Sequence, residues 1–130
     1  MMRFNNCNNQ SLQKINILDI EGGDIMDTLN KLQYITYDIR KSYDIPHLYS
    51  RVETLHAVEI KKVIKQLDLI KSSIDIDIKL RGASTSMYNF RNHIIRLILD
   101  TQELHINTIN KNNSLIKKYN TSIIETLVNI

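Results

Sequence analysis

Apolar residues recur along most of this chain at alternating spacings of three and four, the period of an amphipathic helix. The first clear stripe is Ile25, Leu29, Leu32, Thr36, Ile39 and Tyr43. It predicts a helix opening at Asp24, a good N-cap, with Asp27 three positions on, where a carboxylate meets the positive end of the helix dipole. Pro46 disfavours helical geometry at Ile45 and closes that element near Asp44. A second helix can start at once with Pro46 in its first turn. Its stripe runs Leu48, Val52 and Leu55, shifts face around Glu59, and continues through Ile60, Ile64, Leu67, Ile74 and Ile78.

The run IDIDIKL at 74–80 breaks this rhythm with strict alternation. As a strand it would set Ile74, Ile76, Ile78 and Leu80 on one face and Asp75, Asp77 and Lys79 on the other. As a helix, Leu67, Ile70, Ile74 and Ile78 prolong the stripe already running, and Ile76 moves to its flank. A lone strand leaves its backbone groups unpaired along both edges, and the only other candidate is the short INILDI at 15–20. The helical reading is therefore preferred. Gly82 ends the helix, and Ser84, Thr85 and Ser86 offer N-caps for the next element.

From Met87 to the end the chain contains neither Gly nor Pro. Leu99, Ile106, Asn113, Asn120 and Leu127 lie seven apart, as do Ile95, Gln102, Ile109, Ile116, Ile123 and Ile130. That is a heptad seam, and a continuous helix of this length would reach about 65 Å. The Asn positions read either as register markers within that seam or, in NTINKNN at 107–113, as a polar turn that splits it. Continuity is the preferred reading. The expected fold is all-α: an elongated antiparallel bundle of three main helices with a long C-terminal helix. It occupies residues 24–130, behind a flexible or short segment at 1–23.

Composition narrows the function. Three Gly and one Pro are too few for the frequent turns of an all-β chain. Twenty-two Ile and 14 Asn suggest AT-rich coding, which makes genuine helices look strand-like. The net charge is only +3, and only the basic pairs at 61–62 and 117–118 come close to the clustered basic stripes of nucleic-acid binders, which argues against a nucleic-acid partner. Cys7 is alone, so no intrachain disulfide can form. No apolar run is long enough for a membrane span and the first residues lack a signal-peptide core, so a cytoplasmic protein is expected.

Catalytic and metal signatures are thin. Glu53 and His56 form an E-x-x-H pair followed by Glu59, but a di-iron bundle needs a second such pair and the chain has five Glu in all. The expected reading is a solvated helix face, with no cofactor. RNHIIR at 91–96 brings Arg, Asn and His together, but His93 directly follows the Asn and cannot lie one turn beyond the Arg. No phosphate-binding Gly loop or nucleophile elbow is present. A non-catalytic protein is expected.

The C-terminal stretch from Thr101, TQELHINTINKNNSLIKKYNTSIIETLVNI, carries an apolar residue, Asn, a second Asn three on, and then an amphipathic run. In this it resembles the C-terminal helix of FlgN-type flagellar export chaperones. Ile109, Asn110, Asn113, Leu115 and Ile116 fill the pattern, followed by Ile123, Ile124 and Leu127. The resemblance covers about a quarter of the chain, and the part up to Leu80 lacks the family's Glu- and Gln-rich opening helices. It implies an all-helical cytosolic chaperone that holds C-terminal segments of hook-filament junction proteins before export. Together with Ile106, those eight residues form the expected partner-binding row. The alternative is a self-associating structural protein, a viral one for instance, joined through the heptad seam as a homo-oligomer.

Overall fold

The computed structural model describes residues 25–130, which form four α-helices: α1 (Ile25–Lys41), α2 (Leu48–Arg81), α3 (Thr85–Ile109) and α4 (Asn113–Asn129). They pack in chain order around a square, α1 on α2, α2 on α3, α3 on α4 and α4 back on α1, with only a thin diagonal contact between α2 and α4. Short connections make each neighbour antiparallel, the up-down-up-down arrangement. The all-α bundle expected from the sequence is present, and 74–80 is helical within α2. The expected N-cap at Asp24, the 1–23 segment and the strand candidate at 15–20 lie outside the described residues.

One expectation is overturned. The stretch after Ser86 is not a single helix, because it turns back on itself between Ile109 and Asn113. Lys111 sits at φ 59°, in the left-handed region. The Lys111 N–H donates to Thr108 O at 3.2 Å and the Asn112 N–H to Asn107 O at 3.0 Å. These are the two bonds of a Schellman ending, with lysine where glycine is usual. Asn112 then caps the next helix, its Oδ1 accepting from the Leu115 N–H at 3.1 Å. Polar side chains that can satisfy orphan helix ends make this reversal possible without Gly or Pro.

The α2–α3 boundary follows the sequence, whereas α1 ends at Lys41 rather than near Asp44 and α2 opens at Leu48, leaving Pro46 in the turn before it. The α2 helix stops at Gly82, φ 81°, whose N–H donates to Ile78 O at 2.8 Å. Ser84 caps α3 by accepting from the Met87 N–H. The inward stripe of α1 is Ile25, Leu29, Leu32, Ile35, Thr36 and Ile39. That of α2 runs Leu48, Val52, His56, Ile60, Val63, Leu67, Ile70 and Ile74 without any shift of face. Leu55, assigned to this stripe from sequence, is half exposed, because His56 takes the inward position.

At about 51 Å, α2 is twice the length of α1. Thr28 near the start of α1 bonds Gln66, so the last turns of α2 run past α1 and pack against α3. Arg91 of α3 holds Asp75 there, and Lys71 donates to the same carboxylate at 2.9 Å.

Candidate functional site

The apolar surface is distributed unevenly. Among the described residues twelve large apolar side chains are exposed, and nine belong to α2 and α3; α1 and α4 supply one each, Tyr34 and Val128. On α2 they are Leu55, Val58, Leu69, Ile76 and Leu80. At roughly 100° per residue these five fall within about 60° of one another, and Lys62 and Lys65 lie along the same strip. On α3 they are Tyr88, Leu99, Ile106 and Ile109, again on one face, directly away from the core.

The expected partner-binding row is divided by this geometry. Ile106, Ile109 and Asn110 are exposed, whereas Asn113 and Leu115 are half-buried. Ile116, Ile123, Ile124 and Leu127 are buried in the core and present no surface to a client. The cause is the reversal at Lys111. It resets the helical phase, so the same seven-residue rows face water on α3 and the bundle interior on α4. Asn113 is engaged as well: its Nδ2 donates to Pro46 O at 2.7 Å and its Oδ1 accepts from the Tyr49 N–H at 3.0 Å. The second Asn of the seam, Asn120, is wholly buried.

A groove of about 410 Å³ between α1 and α2 is lined by Lys31, Tyr34, Asp38, Arg51, His56 and Glu59 with two aliphatic side chains. His56, expected on a solvated face, is 5 % exposed. Its Nε2 donates to Asp38 Oδ2 at 2.6 Å, with Arg51 4.0 Å from the other carboxylate oxygen and the Tyr34 ring set edge-on. Glu59 faces Lys31 at 3.6 Å and Lys62 at 3.8 Å, while Glu53 is exposed. Every carboxylate lining this groove is answered by a cation, so the cluster ties α1 to α2. The sequence missed it because Asp38 lies 18 residues from His56 and no local motif joins them. Among the described residues no three His, Cys, Asp or Glu side chains gather as a metal site.

The α3–α4 side has a second groove, about 300 Å³, where His93 and Arg96 meet Ser122 and Glu125. Ser122 donates to Asp100 Oδ2 at 2.6 Å. Burial pushes the His93 imidazole below its ordinary range. His105 is pushed down as well, by burial and then by the nearby Lys61 charge. Among the described residues no helix is long and apolar enough to cross a membrane. No family model, curated protein or solved structure matches the chain.

Proposed function

We propose that this chain is a non-catalytic cytosolic adaptor of the chaperone type, whose long α2 helix holds an amphipathic helix of a client protein. The observation that carries this is the exposed strip Leu55, Val58, Leu69, Ile76 and Leu80 on a helix whose opposite face already fills the core. Apolar surface of this extent on one helix marks a contact site, and an amphipathic helix laid along it is the matching recognition mode. Lys62 and Lys65 interrupt the strip, so the favoured client carries Asp or Glu beside its apolar row. The resemblance to FlgN-type chaperones supplies one concrete client class, the C-terminal segments of hook-filament junction proteins.

Fluorescence anisotropy with two labelled peptides tests this. One is such a junction-protein segment; the other is a designed helix with Leu at i, i+3, i+4 and i+7 and Glu on its flanks. Saturable binding is expected, weakened about tenfold or more by Leu69→Glu with Ile76→Glu. Both substitutions are at exposed positions and leave the fold intact. Binding of the designed helix alone removes the flagellar client. Binding of neither peptide, or binding that ignores the two substitutions, refutes the α2 surface.

A further inference from the structure

The outward face of α3 carries opposite charges beside its apolar strip, spaced so that the face can complement itself. We infer that α3 pairs antiparallel with α3 of a second copy of this chain, forming a two-fold symmetric dimer through a short exterior coiled coil. Leu99 and Ile106 occupy one row of the seam, and Tyr88, Ile95, Gln102 and Ile109 the other, with the seven-residue spacing that keeps both rows on the partner-facing side. Leu99, Ile106, Ile109 and Tyr88 retain between 45 and 58 % of their surface, so the described residues leave this face uncovered.

Charge fixes the direction of pairing. Arg96 and Glu103 flank the seam on the same side, seven residues apart. In an antiparallel pair Arg96 of each copy meets Glu103 of the other, giving two symmetric ion pairs; a parallel pair would set Arg96 beside Arg91, already held by Asp75, and leave Glu103 without a cation. Glu103 has no cation within ion-pairing distance among the described residues, whereas Arg96 reaches Asp100 only at 3.6 Å and is 65 % exposed. The same register places Ile95 against Ile106 of the second copy and Leu99 against Gln102.

The strip from Tyr88 to Ile109 is about 32 Å long, which with a helix width of about 10–12 Å gives on the order of 300–400 Å² per copy. The two copies together bury less than the roughly 1,000 Å² of a stable interface, so the dimer is a weak, reversible one. It forms at all because α2 and α4 already hold α3 helical, removing the folding cost that makes isolated three-heptad helices marginal. This contact uses a different helix from the proposed client surface, and the two stand or fall separately.

Sedimentation equilibrium of the full chain from about 5 to 500 μM, a range suited to a weak, reversible dimer, tests the pairing. The weight-average mass is expected to rise from 15.2 kDa towards twice that value. Leu99→Glu with Ile106→Glu, both exposed, is expected to hold the chain monomeric with unchanged helical circular dichroism. Arg96→Glu alone and Glu103→Arg alone should each weaken association about tenfold or more, and an equimolar mixture of the two variants should restore it to within a few-fold. A monomer throughout the range overturns the inference. So does a dimer indifferent to the α3 substitutions, or tighter association of Arg96→Glu alone, the signature of parallel pairing.

Discussion

Asn120 is the sharpest point at which to test the core. It is wholly buried on α4, and its Nδ2 donates to Thr36 O and to Tyr43 Oη, both at 2.9 Å, while its Oδ1 has no partner. Asn120→Asp keeps the shape and exchanges the donor for a second oxygen. The bond to Thr36 O is lost, at about 1 kcal/mol, while the Tyr43 hydroxyl can turn to donate to the new oxygen. No cation accompanies the new carboxylate, so burial raises its folded pKa well above the unfolded value of about 3.9. A group with a raised folded pKa loses stability as pH rises, here from about pH 4 upward at roughly 1.4 kcal/mol per pH unit. The charge contribution is capped at about 4 kcal/mol at pH 7, because a carboxyl whose folded pKa exceeds 7 stays neutral in the folded chain. Against a total stability of about 5–15 kcal/mol, the variant should be close to unfolding at pH 7. At pH 3.5 the neutral carboxyl can donate one bond, and the deficit should shrink to about 1 kcal/mol. Asn120→Ala lacks the charge and loses both hydrogen bonds, and should cost about 2 kcal/mol at every pH. Urea denaturation followed by circular dichroism across the acid-to-neutral range measures all three chains. A pH-independent deficit in Asn120→Asp would refute the reasoning, since the carboxylate would then be reaching water.

Three further substitutions probe other features. Lys111→Gly relieves the left-handed backbone at φ 59° and should stabilise the chain by about 0.5–1 kcal/mol in the same urea assay, despite losing the distant Lys111–Tyr49 ring contact. Thr101→Val replaces a fully buried hydroxyl that has no hydrogen-bond partner, and a rise in melting temperature corresponding to about 1 kcal/mol is expected. The Asp75 carboxyl is held below its ordinary range by the hydrogen bond from Arg91 and then that from Lys71. With its folded pKa depressed, its contribution is complete above the unfolded pKa near 4 and disappears as pH falls through the lower folded value. Asp75→Asn should therefore cost up to about 1 kcal/mol at pH 7, the scale of a partly exposed pair, and nothing once the pH is below both pKa values; urea titrations at the two extremes check this.

Much of the fold was legible because helical period survives a biased composition. The α1 stripe and the helical reading of 74–80 needed only spacing and the missing partner strand; Ile76 lies on the exposed flank, where the helical reading puts it. What periodicity lacks is absolute phase across a turn. Ile109 and Ile116 belong to one arithmetic row, yet the first faces water and the second the core, because the residues between α3 and α4 reverse the chain. The signal was present in Asn112 and Asn113, side chains suited to helix starts, but a left-handed lysine has no pattern of its own. His56 was misplaced for a related reason. A histidine at an inward position looks like a fault in the stripe until its carboxylate partner on α1 is seen.

Asn113 binds Pro46 and Tyr49, so one amide side chain joins the two reversals at the same end of the bundle, across sequence separations of 67 and 64 residues. Its effect is on where the molecule breathes. Fraying of α4 from its first turn must also release the α1–α2 corner, which couples amide exchange at those two places into one opening unit. At the opposite end, among the described residues, α2 and α3 run on as a two-helix hairpin closed by Gly82, and exchange there can proceed by fraying of that hairpin. The bundle thus has a clamped end and a loose end, and hydrogen exchange should sort its amides accordingly.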